Sequence, residues 1–257
     1  MSLKFNERAH AYWLDGQRVT GVTTLLSKGL PKPAIPYWAA KSVAEYVADN
    51  PDGIDALRGA GRGPMIAALK EVPWQKRDEA AIRGTDVHAL AERILHGETV
   101  EVPDHLAGHV EGYTRWLDAF DVEPIVTEVP VANRAHRWAG KPDAIVRLGG
   151  ETWLLDWKTS NSVYGETALQ TAAYARAEFY VTPDDWDTEH PLPHIDRTGV
   201  VHVTADGSQL YPLARNPQEI DEAYQLFRHI AHVASRTEWI KTRIGDPMPE
   251  PGNETAA

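Results

Sequence analysis

Apolar and polar positions alternate most clearly in the middle of the chain, where "RWAGKPDAIVRL" and "TWLLDWKTS" flank Gly149-Gly150. β-branched and aromatic residues at a period of two read as strands, and the glycine pair as the tight turn between them. "IVTEVPVA" reads as a strand just before them. Residues 4–20 predict a hairpin on Asp15-Gly16, and "VVHVTADGSQLYPL" predicts another on Asp206-Gly207. Elsewhere the period is helical. A helix is predicted from Tyr37 to about Asn50, with short helices in "GIDALRGAGRGPMIAALKEV". "DEAAIRGTDVHALAERILHGE" predicts a helix capped by Thr85, with Val87, Leu90, Ile94 and Leu95 facing inward. Further helices are predicted in "HLAGHVEGYTRWLDAFD", in "GETALQTAAYARAEFYV" and, over a long span, after Asn216. "SKGLPKPAIP" and "TPDDWDTEHPLPHIDRTG" read as loops, and residues 246–257 as a disordered tail.

This order predicts an α/β protein. One domain is expected over residues 1–245, with 83–245 as the core and 1–82 as a hairpin and helical elaboration of it.

Composition narrows the chemistry. The 257 residues include no cysteine, which excludes disulfides, thiolate zinc sites and an iron–sulfur cluster. No apolar run is long enough to span a bilayer and the opening residues lack a secretory segment, so a cytoplasmic protein with no membrane association is expected. The net charge of −11 argues against general affinity for nucleic acid. It leaves room for a local basic groove, and for carboxylates whose charge a cation would neutralise.

Asp143, Asp156 and Lys158 stand out against this background, because they interrupt segments that otherwise read as buried strands. An unpartnered buried charge costs several kcal/mol, so the three either form an ion-pair network or surround a ligand. Residues two apart in a strand share a face, which brings Asp156 and Lys158 out side by side and turns Trp157 away. Asp143, on the preceding strand, converges on them across the turn. Glu128 reads equally as a third acid of the cluster and as a strand-edge charge. Oxygen ligands without a soft donor suit Mg²⁺ or Mn²⁺. Arg134, Arg137 and Lys141 form one basic cluster, and Arg58, Arg62, Lys76, Arg77 and Arg83 another. Both are candidates for a phosphate track or for solvated charge. Trp38, Trp74 and Trp138 read as core residues or as stacking platforms for bases.

Gly140-Lys141-Pro142-Asp143, Asp156-Trp157-Lys158-Thr159, and Gln170 followed four residues later by Tyr174 together resemble the nuclease domain of RecB and its relatives, in the PD-(D/E)XK superfamily. "RGTDVHALAE" is similar to that family's histidine-bearing segment, and the resemblance covers roughly residues 83–180. Residues 5–47 look like the opening of small phage-encoded exonucleases. The resemblance implies a restriction-endonuclease-like core, a mixed sheet flanked by helices, of the branch that carries no iron–sulfur cluster. It implies a metal site of His88, Asp143, Asp156 and the Trp157 carbonyl, with catalysis by Asp143, Asp156, Lys158 and Glu128. It also implies that Gln170 and Tyr174 contact the active site or the DNA backbone. The expected activity is Mg²⁺- or Mn²⁺-dependent hydrolysis of DNA, by an exonuclease on linear DNA in recombination, repair or phage DNA processing. A recombination or single-strand-annealing protein is a further candidate partner. A site-specific endonuclease and a non-catalytic nucleic-acid-binding module are the alternatives. Glu92, one turn beyond His88, reads as a second-rank ligand or a solvated acid.

Overall fold

The glycine-marked turns close as the sequence predicts. Asp15 and Gly16 have φ of 50° and 77°, and Gly149 and Gly150 have φ of 60° and 83°; positive values at both central residues suit the right-handed twist of a two-residue hairpin. In this computed structural model, which describes residues 2–248, the elements follow as β1 (Leu3–Asn6), β2 (Ala11–Leu14), β3 (Gln17–Gly21), α1 (Val22–Gly29), α2 (Ala34–Asp49), α3 (Pro51–Ala60) and α4 (Arg62–Leu95). Next come α5 (Ala107–Phe120), β4 (Glu123–Thr127), β5 (Val131–Asn133), β6 (Trp138–Gly140), β7 (Ala144–Leu148) and β8 (Glu151–Lys158). The chain ends with α6 (Glu166–Ala175), β9 (Phe179–Thr182), β10 (Asp185–Pro191), β11 (Arg197–Thr204), β12 (Gly207–Ala214) and α7 (Pro217–Lys241).

The result is a mixed α/β fold with two mixed sheets. One has the order β12-β11-β8-β7-β4, with β8 and β11 parallel and the rest antiparallel. The other has the order β1-β2-β3-β6-β5-β9-β10, with β3 and β6 parallel. Side-chain alternation along β8 sends Trp153, Leu155 and Trp157 to one face, where Val87, Ala91 and Leu95 of α4 and Tyr113 and Trp116 of α5 cover them. Leu154 faces the other way, into a cluster with Leu169 and Tyr174 of α6, Phe227 of α7 and Val22, Leu25 and Leu26 of α1. Asp156 and Lys158 lie on this second face.

Two of the chain's passages between the sheets are very short, from β4 to β5 through residues 128–130 and from β6 to β7 through residues 141–143. The Glu128 amide donates to the Asp143 carbonyl (3.0 Å), so the two crossings touch. Glu128 has φ of 50°, a left-handed backbone that costs a non-glycine residue on the order of 1 kcal/mol.

Several local expectations need correction. Thr85 does not cap a helix: α4 runs unbroken from Arg62 with Pro73 inside it, and the Thr85 hydroxyl donates to the Ala81 carbonyl one turn back. The expected boundary between residues 82 and 83 therefore falls inside α4. "SKGLPKPAIP" is not wholly a loop, since α1 ends at Gly29 and α2 starts at Ala34. "FYV" leaves the amphipathic helix and becomes β9, because Val131 and Ala132 of β5 offer it a partner edge. The polar segment after it holds β10, an edge strand paired only to β9. The long last helix is capped as expected by Asn216, whose Oδ1 accepts from the Glu219 amide at 2.9 Å. Of the tail expected to be disordered, residues 246–248 carry no helix or strand and 249–257 lie outside the described residues. No helix among the described residues is long and apolar enough to cross a membrane.

Candidate active site

These two crossings, the end of β8, the second half of α4 and the α6 residues Gln170 and Tyr174 meet at one cavity of about 510 Å³. Its walls include His88, Glu128, Gly140, Lys141, Asp143, Asp156, Lys158, Gln170 and Tyr174. His88 arrives from α4, whose approach to the end of β8 is close: a Cβ at Gly84 would lie 3.3 Å from Thr159 Oγ1. Ligand atoms of His88, Glu128 and Asp143 all lie within 4.8 Å of one another. Imidazole nitrogen and carboxylate oxygens in that arrangement form a donor set suited to a hard or borderline divalent cation.

Asp143 precedes β7 by one residue, opposite Asp156, because Ala144 pairs with Leu155. Its Oδ2 accepts the Trp157 amide (2.6 Å) and stands 3.6 Å from His88 Nδ1. Asp156 is 2% exposed. Its Oδ1 accepts from Gln170 Nε2 (2.8 Å), and its Oδ2 is 2.5 Å from Lys158 Nζ in an ion pair not aligned as a hydrogen bond. The structure therefore groups the predicted residues as a His88–Glu128–Asp143 trio beside an Asp156–Lys158 pair that Gln170 anchors. Trp157 gives the site its backbone amide, while its indole packs edge-on to Tyr113 in the opposite core.

The electrostatics follow from this packing. Burial pulls the His88 imidazole down, but the Asp143 carboxylate outweighs it and pushes the group up to about 8. Burial and repulsion from Asp143 lift Asp156 to about 6 despite Lys158. Burial would raise Asp143 as well, yet His88, Lys158 and the Trp157 amide hold it below the usual carboxylate range. Burial and Asp143 raise Glu128, against the pull of Lys141. Lys158, though half-buried, is held above the ordinary lysine value by Asp156 and Asp143.

Gly140 and Tyr174 explain each other. A Cβ at Gly140 would stand 2.2 Å from Tyr174 Cε1, so the glycine lets the ring approach the end of β6 that leads into the crossing carrying Asp143. Tyr174 is buried (3% exposed) and its ring belongs to the core, which makes it a support for the site. Gly140→Ala should cost about 1–3 kcal/mol, the range for an overpacked core, measured as a lower midpoint in urea. An unchanged midpoint would mean that the ring moves aside freely.

Other predicted residues lie elsewhere. Arg137 is not at this cavity. It sits at the opposite end of β6 from Gly140, donates to Gln17 Oε1 (2.8 Å) and lines a separate depression with His136, Arg228 and His232. Lys141 is at the cavity but is paired to Glu128 Oε2 at 2.6 Å. Arg83 lines an adjoining cavity that shares His88 and Lys158 with the first. Arg134 is committed to Asp15 and Glu189, and Trp138 is fully buried, which removes it as a stacking platform. Glu92 is not in the trio, though its charge is felt at Glu128. Sequence reasoning missed Phe5, His10 and Tyr12, a set of ring contacts that closes one side of the cavity. Their only sequence signal is the resemblance over residues 5–47.

The titrations predict a pH dependence. A ligating imidazole must be neutral, so Mn²⁺ affinity should rise about tenfold per pH unit up to about 8 and then level off. His88 lies above its unfolded value of about 6.5, so its protonation contributes stability that is complete below about 6.5 and lost as pH rises through about 8. Metal-free protein should therefore melt at lower temperature across that window, and saturating Mn²⁺ should restore most at its upper end. A metal-free Tm that rises across the window would contradict this.

No family model matches the chain, and no curated protein matches it either. Among solved structures it is similar to one described as "Crystal structure of SSO0001", at 19% identity over 63% of this chain and 76% of that one, with a TM-score of 0.28. A likeness of that degree has no bearing on fold or function.

Proposed function

We propose that the chain is a metal-dependent deoxyribonuclease, an exonuclease on linear DNA, built on a core of the PD-(D/E)XK kind. The observation that carries this reading is the convergence of His88, Glu128 and Asp143 within 4.8 Å, beside the ion pair of half-buried Lys158 with buried Asp156 in one open cavity. The motif order that resembles the RecB nuclease domain supports it too, since its separate pieces meet at this cavity.

His88, Glu128 and Asp143 would hold the cation, and the imidazole among them favours Mn²⁺ alongside Mg²⁺. A divalent ion bound there supplies charge at the scissile phosphate and a water of lowered pKa. Lys158 contributes a fixed positive charge where the phosphorane oxygens gain negative charge, and the compactness of an ammonium suits that placement. Asp156 fixes the Lys158 ammonium and Gln170 fixes Asp156, so the charge is oriented before substrate arrives. Trp157 holds Asp143 through its amide, and Tyr174 holds the crossing on which Asp143 sits.

End-labelled linear DNA and closed circular DNA, each incubated with Mg²⁺, Mn²⁺ or EDTA, test the proposal. Release of label from the linear substrate with either ion, with none in EDTA and no opening of the circle, is expected. Cleavage of the circle would replace the exonuclease by an endonuclease on the same site. Inertness towards both DNAs would remove the nuclease reading.

A further inference from the structure

The second cavity, about 700 Å³, begins where the first ends: both are lined by Ala81, His88 and Lys158. Three more cations line it, Lys76, Arg77 and Arg83, against the single acid Glu79. On a chain of net charge −11 such a concentration of positive charge is local and directional. Lys76 and Arg77 are partly engaged, by Glu45 (3.1 Å) and Asp78 (2.6 Å), whereas Arg83 has no ion-pair partner among the described residues. The first cavity differs in character: Glu7, Glu128, Asp143 and Asp156 line it, and its lysines, Lys141 and Lys158, are paired to Glu128 and Asp156. The excess of positive charge around Lys158 therefore lies on the side of the second cavity.

Two aromatic side chains complete the second cavity. Trp38 of α2 is 39% exposed, and Tyr164, in the loop between β8 and α6, is 56% exposed. Among the described residues neither ring packs against another aromatic ring, and the Tyr164 hydroxyl has no hydrogen-bond partner. The loop bearing Tyr164 is tied down nearby, since His202 Nε2 lies 2.6 Å from the Ser160 carbonyl oxygen. Cations for a backbone and bare rings for bases suit a strand whose bases are splayed out; a duplex keeps its bases stacked inside and would leave both rings uncovered.

We infer that this second cavity is a single-stranded DNA subsite, in which Trp38 and Tyr164 stack on bases and Arg83 draws the backbone towards Lys158. The inference rests on the nuclease reading for what happens at Lys158, but its test does not. The full chain in EDTA is titrated into a fluorescein-labelled oligothymidylate and into a blunt duplex of equal length, and binding is read by anisotropy at several salt concentrations.

The single strand should bind at least about tenfold more tightly than the duplex. Trp38→Ala and Tyr164→Ala should each weaken it about tenfold, the value of one stacked base, and Trp38→Phe should recover most of the loss. Arg83→Ala should flatten the salt dependence by about one phosphate contact. Tyr164 is the more exposed ring, so Tyr164→Ala should melt as the parent does, and Trp38→Phe, which keeps a ring in place, serves as the folded control at Trp38. Equal affinity for duplex, or parental affinity in both aromatic variants, overturns the subsite. Selective single-strand binding by a chain that cleaves nothing in Mn²⁺ would sink the nuclease reading and leave the subsite standing. Cleavage by a chain whose aromatic variants bind as the parent does would do the reverse.

Discussion

Lys158→Ala should retain the fold and abolish most cleavage, by about 10²–10³-fold at saturating substrate, the usual consequence of deleting one group placed at a developing charge. The substitution has a second effect that identifies its cause. Asp156 is 2% exposed and already raised to about 6 with Lys158 beside it. Without the ammonium its charged form loses its main stabilising partner, so Asp156 should titrate still higher and become neutral near physiological pH. The variant should therefore gain stability on acidification more steeply than the parent, because a carboxyl with a raised folded value contributes stability that is lost as pH rises through it. Single-turnover cleavage combined with melting against pH reads both effects. Parental cleavage by the variant would remove Lys158 from the chemistry.

Asp143→Asn should do comparable damage by a different route. The amide oxygen of asparagine can still accept the Trp157 N–H, so the hairpin end keeps its hydrogen bond. What disappears is the charge. Loss of a partner of a metal ligand already costs about 10–100-fold in affinity, and Asp143 is itself placed as a ligand, so Mn²⁺ binding should fall by at least about a hundredfold. His88 then provides an internal reporter. Asp143 is what pushes its imidazole up to about 8 against the effect of burial; in the variant it should drop below the ordinary histidine range, followed by the NMR shifts of its ring protons across a pH titration. An imidazole that still titrates near 8 would mean that the coupling between these two side chains has another origin.

Much of this site can be read along β8. A pleated strand with Asp156 and Lys158 two residues apart, and a two-glycine turn leading back to Asp143, fixes three side chains by local rules alone. Glu128 is different. Its place beside Asp143 depends on two crossings between sheets and on a left-handed φ at a glutamate, neither of which has a marker in the sequence. The grouping of His88 with Glu128 and Asp143 follows from those long-range features, which is why strand pattern alone left Glu128 open between ligand and edge charge.

The same division holds for the fold. Hairpins with Asp-Gly or Gly-Gly turns and the Asn216-capped helix carry their own signals. α4 does not: Gly63, Pro64, Pro73 and Gly84 all suggest breaks, yet its second half is held by Val87, Ala91 and Leu95 against Trp157 and its neighbours, and tertiary packing overrides propensity. β9 and β10 exist because β5 offers an edge, a partner more than forty residues away in sequence for Phe179 and Tyr180. Arg137 and Lys141 are near neighbours in sequence, but the three residues of β6 between them carry the two to opposite ends of a strand.

An anomalous-difference map from crystals soaked in Mn²⁺ tests the central claim most directly. A single strong peak is predicted between His88, Glu128 and Asp143, within coordinating distance of one ligand atom of each. Manganese found elsewhere, or none at all at millimolar concentrations above pH 8, would contradict the assignment of this cavity as a catalytic metal centre.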